Sequence, residues 1–135
     1  MIIVDTNVVS ELVRLRPAPQ VAAWLAAPPD DLAISAITIG ELLTGVAILP
    51  DGARKTGLAE AIETVLLRLP VRVPYDDSAA RAHARLRATA RRVGRGLSVE
   101  DGMIAATCLA QGAALATRNV ADFDFLPVLV VNPWE

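Results

Sequence analysis

Four carboxylates stand where an α/β protein places its functional groups. Asp5 directly follows the apolar run "IIV", and Glu41 and Asp101 each lie in the first turn of a predicted helix. Asp122 lies in the polar stretch "TRNVAD" after the apolar run "ALAT". Ligands of an open parallel sheet bind beyond the carboxyl ends of its strands. If the first and fourth strands are neighbours, these acids therefore meet at one edge of the sheet.

Carboxylates gathered in this way favour a divalent metal ion. Two like charges ~4 Å apart repel by about 4 kcal/mol at an effective dielectric of about 20, and a cation removes this cost. Oxygen ligands without a nearby histidine or cysteine suit Mg²⁺ or Mn²⁺ better than zinc. One or two such ions activate water and stabilise the leaving oxygen of a phosphodiester. These residues therefore indicate metal-dependent hydrolysis of a phosphate ester.

Each acid also has a purely structural interpretation, which the sequence leaves open. Asp5 in "DTN" would cap the helix that follows it. Thr38 with Glu41, and Ser98 with Asp101, have the spacing of capping boxes. The stretch "NVADF" would form an Asn/Asp turn.

Strand-length apolar runs alternate with helical patterns along the chain. The predicted strands are 2–4, 32–35, 71–73, 114–117 and 128–131. The predicted helices are 8–15, 19–27, 38–49, 53–69, 78–93 and 98–111. Such alternation requires crossover connections and a mostly parallel sheet. We therefore expect one α/β domain over residues 1–135, without repeats or an interdomain linker.

Composition excludes some classes of protein and favours a partner. Hydrophobic residues form 53% of the chain, and this surplus favours a dimer or a bound partner. A single cysteine, Cys108, excludes an internal disulfide framework. No apolar run approaches the roughly 18 residues of a membrane span, and the start shows no signal peptide. We therefore expect a cytoplasmic protein.

Arginines are concentrated in one predicted helix. Six arginines and no acid occur between Ala79 and Val99. This helix is either a solvated charged face or a surface that contacts RNA phosphates. Arg85 and Arg92 are candidate substrate contacts, and Arg118 is a stronger candidate because it neighbours the acids.

Two conspicuous residues receive structural interpretations. His83, the only histidine, lies among arginines on an amphipathic helix, so we expect it at the surface and not as a general base. Trp134 is expected to pack the C-terminal tail.

Several segments carry a family resemblance when they are taken in order. They are "VDTNVVSEL", "SAITIGELLTGV", "SVEDGMIAATCLAQGAALATRN" and "DFDF". The set resembles the PIN-domain ribonucleases, in particular the VapC-type toxins of type II toxin–antitoxin pairs. The closing "VVNPW" is similar to the subgroup that includes the Fit-type trafficking regulators.

The resemblance implies a fold, an activity and partners. The fold would be a PIN-like three-layer α/β structure, with a central five-stranded parallel sheet flanked by helices. The activity would be Mg²⁺- or Mn²⁺-dependent endonucleolytic cleavage of RNA that leaves a 5′-phosphate and a 3′-hydroxyl. The partners would be a second copy of the chain and a small DNA-binding antitoxin that inhibits it.

The resemblance also implies roles for the acids. Asp5, Glu41 and Asp101 match the first three acids of the family, so Asp5 and Asp101 are expected to ligate the metal directly. Glu41 would act through water or polarise the attacking water. Some members carry an acid at the position of Asn119, and others carry Asn there with an acid three residues later. Asp122 has that later position, so it would supply the fourth charge through water.

Four polar residues are expected to support these acids. Thr6 and Thr117 would orient water or carboxylates by hydrogen bonding, or serve as local caps. Asn7 belongs to the same set. Asn119 would be a neutral ligand or an orienting group.

Two rival functions stay open on the sequence. One is a PIN-fold binding module with weak or no catalysis that regulates through a DNA-binding antitoxin, since Asn119 replaces an acid. The other is an enzyme that forms an aspartyl phosphate on Asp5. A haloacid-dehalogenase-like phosphatase needs a second Asp where this chain has Asn7, and a receiver domain carries its acceptor well inside the chain.

Overall fold

The structure is a computed structural model that describes residues 1–135, and its strands and helices alternate in the predicted order. The strands are β1 (Ile2–Val4), β2 (Leu32–Ser35), β3 (Arg72–Val73), β4 (Ala114–Ala116) and β5 (Val130–Val131). The helices are α1 (Thr6–Leu12), α2 (Pro19–Ala26), α3 (Ala36–Ala47), α4 (Ala53–Leu67), α5 (Asp77–Val93) and α6 (Val99–Gln111). A short 3₁₀ helix spans Val120–Asp122. All predicted elements are present. β1 and β2 have the predicted bounds, and the other elements differ from the prediction at one or both ends.

All five strands form one parallel sheet in the order β3-β2-β1-β4-β5. β1 is the central strand, and Val4 lies opposite Ile34 of β2 on one side and Ala116 of β4 on the other. A strand buried on both faces reads as a continuous apolar run, which explains "IIV". The residue after β1 therefore lies between the carboxyl ends of β2 and β4.

Helices cover both faces of this sheet and make three layers. Ile2 and Val4 point to one face and join a core that includes Leu42 of α3 and Ile62 of α4. Ile3 points to the other face and joins residues of α5 and α6. Successive side chains of a strand alternate in this way, and each buried aliphatic side chain stabilises the fold by about 1.5–3 kcal/mol. The predicted three-layer α/β fold is confirmed.

Serine side chains set the starts of two helices, and one predicted cap is wrong. Ser98 accepts a hydrogen bond from the Asp101 amide at 3.1 Å, which is one of the two hydrogen bonds of the predicted capping box. At α3 the cap is Ser35, which accepts from the Thr38 amide at 3.1 Å. Thr38 is therefore a buried residue in the first turn, and Glu41 lies in the second turn. The capping-box interpretation of Thr38 and Glu41 fails because the helix begins before Thr38.

His83 does not lie freely at the surface, contrary to expectation. Its Nδ1 lies 3.1 Å from the Tyr75 hydroxyl, and its buried Nε2 has no hydrogen-bond partner. The ring faces Gly102 of α6, where a Cβ would lie only 2.7 Å from Nε2. Burial, together with the Arg87 charge, lowers the pKa of His83. A glycine at this position allows α5 and α6 to pack closely.

None of the helices has both the length and the apolar composition that crossing a membrane requires. Cys108 is fully buried in α6, and burial raises the pKa of its thiol to about 12. The cysteine therefore behaves as a small core residue.

Candidate active site

A cavity of about 530 Å³ lies at the carboxyl end of β1 and collects most of the predicted site. Its lining residues are Asp5, Thr6, Asn7, Ser10, Glu11, Arg14, Glu41, Asp101, Arg118, Asn119 and Trp134. Three of the four predicted acids are in this set, although they come from three separate parts of the chain. The central position of β1 brings them together.

Asp5 is held by hydrogen bonds to both of its carboxylate oxygens. Oδ1 accepts from the Thr6 amide at 2.8 Å, which is the predicted helix cap. Oδ2 accepts from the Thr117 hydroxyl at 2.7 Å and from the Asn7 side chain at 3.3 Å. Burial raises the pKa of Asp5, and the Asp122 charge adds to this, although the hydrogen bonds from Thr117 and Thr6 lower it. Capping therefore accounts for only one oxygen of Asp5.

Thr117 and Asn7 connect the ends of β4 and β1. The fully buried Thr117 hydroxyl donates to Asp5 and accepts from the Asn7 side chain at 3.0 Å and the Asn119 amide at 3.1 Å. A hydroxyl has one hydrogen and two acceptor positions, so its bonding capacity is filled. The side-chain oxygen Oδ1 of Asn7 accepts a hydrogen bond from the backbone amide of Arg118 at 3.3 Å. This network orients the Asp5 carboxylate.

Glu41 reaches the cavity from α3. The Thr6 hydroxyl donates to Glu41 Oε1 at 2.9 Å and lies 3.4 Å from the Thr38 hydroxyl. Since Thr6 directly follows Asp5 in the chain, one residue connects the end of β1 with the carboxylate of a different helix. Thr6 thus has the supporting position that was predicted for it.

Asp101 reaches the cavity from the first turn of α6. Burial raises the pKa of Asp101, and the charges of Asp5, Asp122 and Glu41 act in the same direction against the hydrogen bond from Ser98. No arginine, lysine or chain terminus forms an ion pair with Asp5, Glu41 or Asp101. The three acids therefore converge without an ion pair to any of them, although Arg14 and Arg118 line the same cavity.

Asp122 lies outside the cavity lining. It is exposed in the 3₁₀ helix, whereas Asn119 lines the cavity directly. The charge of Asp122 nevertheless contributes to the raised pKa values of Asp5 and Asp101. Its use as a fourth charge stays a prediction.

Only one of the three predicted arginines lies at the cavity. Arg118 lines it, whereas Arg85 and Arg92 are exposed on α5 and do not. Contacts of the α5 arginines with a substrate also stay a prediction.

One part of the wall was not predicted from the sequence. Ser10, Glu11 and Arg14 line the cavity beside Asn7, with Trp134. Asn7, Ser10, Glu11 and Arg14 recur at spacings of three or four residues, and this spacing places them on one side of α1 and its continuation. This periodicity could have predicted from the sequence that these residues share the side of α1 that faces the site. Trp134 had no such signal, because only the pairing of β5 with β4 brings the C-terminus to this edge.

Glu11 differs from the other acids because it has an internal partner. It is 7% exposed and accepts from Arg14 at 3.0 Å and from the Ala18 amide at 3.2 Å. Burial acts to raise the pKa of Glu11, but these hydrogen bonds and the charges of Arg14 and Arg118 outweigh it, so the pKa is lowered. Glu11 therefore ties α1 to the segment that leads into α2.

The unpaired acids fit a hard divalent cation. They offer carboxylate oxygens, and no histidine or cysteine lines the cavity. No group of three or more His, Cys, Asp or Glu side chains is arranged to hold a metal ion by itself. Mg²⁺ usually keeps several waters and uses one or two carboxylates, so an open set of this kind is sufficient for it.

The family follows from comparison with known proteins. The family model of the PIN domain matches residues 2–125. This chain belongs to the PIN-domain family. Its sequence is 42% identical to VapC ribonuclease Y4jK of Sinorhizobium fredii and 39% identical to Toxin FitB of Neisseria gonorrhoeae. Each comparison covers 100% of this chain and 99% of the relative.

Solved structures agree with this assignment. One chain of the structure of FitAB bound to an IR36 DNA fragment superposes on this protein with a TM-score of 0.91 at 38% identity. The match covers 100% of this chain and 96% of that chain. A toxin–antitoxin complex from Klebsiella pneumoniae gives a TM-score of 0.75 at 27% identity, covering 100% and 99%. The resemblance to VapC-type and Fit-type toxins and the PIN-like fold are confirmed. The aspartyl-phosphate alternative is dropped with this assignment.

Proposed function

We propose that this PIN domain is a Mg²⁺- or Mn²⁺-dependent endoribonuclease and the toxin of a toxin–antitoxin pair. The observation that carries this proposal is the meeting of Asp5, Glu41 and Asp101 in one cavity, where none of the three forms an ion pair. Full-length relatives named as a ribonuclease and as a toxin support it. Nothing in the structure or in these relatives favours a binding module without catalysis.

We assign a separate role in the proposed reaction to each of these side chains. Asp5 and Asp101 would hold the metal directly, and Glu41 and Asp122 would do so through water. When bound, the metal supplies a water of lowered pKa and stabilises the leaving oxygen of the phosphodiester. Thr117, Asn7 and Thr6 keep the Asp5 carboxylate in one orientation. The Thr6 hydroxyl holds Glu41, which orients the attacking water and accepts its proton.

A cleavage assay tests this division. We expect the protein to cut a panel of structured RNAs with Mg²⁺ or Mn²⁺ and not with EDTA. Asp101→Asn and Asp5→Asn should each lower kcat/KM at least ~100-fold, because the loss of an outer partner of a metal ligand already costs about 10–100-fold. Asp77→Asn is the matched control, since it removes an exposed carboxylate from the first turn of α5.

The outcomes separate the candidate functions. Equal cleavage by the wild type and both Asn variants would overturn the proposed site. Absence of cleavage in every folded sample, with partner binding retained, would favour the binding module. Thermal unfolding of each variant verifies that it is folded.

We also propose a small DNA-binding antitoxin and a second copy of the chain as partners. The similar structures of FitAB on DNA and of a toxin–antitoxin complex support this pairing. Co-expression with the adjacent small reading frame, followed by gel filtration with light scattering, tests both partners. An isolated monomer in that experiment would count against them.

A further inference from the structure

We infer that Arg118 and Trp134 form a subsite for one nucleotide of single-stranded RNA, with Arg118 binding a phosphate and Trp134 stacking on a base. This inference deepens the proposed function and rests on it. It begins from the composition of the cavity wall. Trp134 is the only aromatic side chain that lines the cavity, and all the other lining residues are polar or charged.

The position of Trp134 is fixed and accessible. The indole is half-buried and packs against the core on the α1–α4 side of the sheet. The Asn132 side chain accepts a hydrogen bond from the Trp134 amide at 3.0 Å, which holds the turn after β5. An aromatic ring that is already held in one position loses little conformational freedom when a base stacks on it.

Arg118 supplies the charge for this subsite. Its guanidinium lies 5.4 Å from the centre of the Trp134 ring, and no carboxylate forms an ion pair with it. The backbone amide of Arg118 is bound by Asn7, so the main chain is anchored while the side chain is exposed. A free guanidinium matches the oxygens of a phosphate.

A second arginine–aromatic pair in the molecule has a structural role and serves as a comparison. The Arg95 guanidinium lies 4.6 Å from the centre of the Phe125 ring. It is also bound by Asp124 at 2.9 Å and by the Ala121 carbonyl at 2.8 Å. Arg95 thus has acceptors within the protein, whereas Arg118 at the cavity has none of its own.

The combination of groups favours RNA as the occupant. Bases of single-stranded RNA stack on aromatic rings and on guanidinium planes, and phosphates bind free arginines. The metal-ligating acids line the same cavity, so a nucleotide on this wall neighbours the phosphate that is cut.

Fluorescence of Trp134 tests the stacking directly. Trp24→Phe leaves Trp134 as the only tryptophan of the chain. The probes are a single-stranded RNA tetramer and an abasic tetramer of equal charge, added in EDTA so that no cleavage occurs. We expect the RNA to quench the emission and the abasic probe to leave it nearly unchanged.

Binding of the RNA tetramer to variants tests both groups. Trp134→Leu should weaken binding roughly 10-fold, the size of one base–aromatic stack, and Trp134→Phe should restore most of it. Arg118→Gln should reduce the slope of log Kd against log salt by about 0.7, and Arg95→Gln, the matched control, should leave it unchanged.

The results that overturn the subsite differ from those that overturn the nuclease. Equal quenching by both probes, or an unchanged Kd in Trp134→Leu, refutes the subsite, while metal-dependent cleavage and its loss in Asp101→Asn leave the function intact. A response of Trp134 to the co-expressed antitoxin and not to RNA assigns this wall to the partner and also refutes the subsite.

Discussion

Two kinds of carboxylate share one cavity, and they differ in their counter-ions. Glu11 is paired with Arg14 and the Ala18 amide, and its pKa is lowered. Asp5 and Asp101 form no ion pair, and burial raises the pKa values of both, with a further contribution from the charge of Asp122. The first kind of carboxylate is thus paired within the protein, and the second kind is not.

The comparison separates stability from function. A buried carboxylate with an internal partner is destabilising to remove, because its partners lose their acceptor. Carboxylates that converge without a partner cost stability when they are ionised, and a fold retains such a cost at functional sites. The predictions below are ordered by the size of the effect and test this difference.

Metal-linked stabilisation should give the largest effect. At a Mg²⁺ concentration of about 100 times Kd, binding to the folded state adds about 2.7 kcal/mol to the free energy of unfolding. Differential scanning calorimetry should show this gain in the wild type and in Glu11→Gln, and should not show it in Asp101→Asn. An equal gain in all three proteins would remove the distinction between the two kinds of acid.

The packing of α6 should give the next effect. Gly102→Ala places a Cβ 2.7 Å from His83 Nε2 and 3.0 Å from Cδ2, next to Asp101. Overpacking of this kind costs about 1–3 kcal/mol. Urea unfolding should show this loss, and His83→Ala in the double variant should recover part of it. Gly57→Ala is the control, since open space surrounds its added Cβ.

Opposite effects on the metal-free protein should follow. In EDTA, Glu11→Gln should lower the unfolding temperature, because a donor replaces the oxygen that accepts from Arg14. Asp101→Asn should raise the free energy of unfolding by less than about 1 kcal/mol, since solvent screens a half-buried charge. Thermal unfolding of the two variants beside the wild type measures both signs. A loss of stability in Asp101→Asn would contradict the comparison.

The pH dependence should give the smallest effect. A raised pKa means that folded Asp101 binds its proton more tightly than the unfolded chain does, so the wild type loses stability as pH rises through that pKa. The advantage of metal-free Asp101→Asn should therefore disappear below the ordinary value of 3.8. Glu11 acts oppositely: its stabilisation is present above its ordinary value of 4.5 and is lost as pH falls through its lowered pKa. Urea unfolding from pH 3 to 7 would check both slopes.

Local signals in the sequence were sufficient for much of this site. The apolar run before Asp5 predicts a buried strand that ends on an acid, and the Ser98 hydroxyl places Asp101 in the first turn of α6. These predictions hold because they depend on strand burial and a helix cap, which act over a few residues. The same reasoning misplaced the start of α3, because both Ser35 and Thr38 are good caps. In the structure Ser35 has the extended backbone of a cap, and Thr38 already lies within the helix.

Long-range packing decided the rest. The position of β1 between β2 and β4 determines that Asp5, Glu41 and Asp101 face one cavity. The pairing of β5 with β4 determines that Trp134 meets Arg118, and the contact of α5 with α6 determines that the Nε2 atom of His83 is buried. By itself the sequence determined the type and order of the elements and placed Asp5 after a buried strand, since these features follow from local hydrogen bonds and apolar periodicity. Which acids share a cavity, and which of them has a counter-ion, was decided only by the tertiary structure, because charges interact through space and not along the chain.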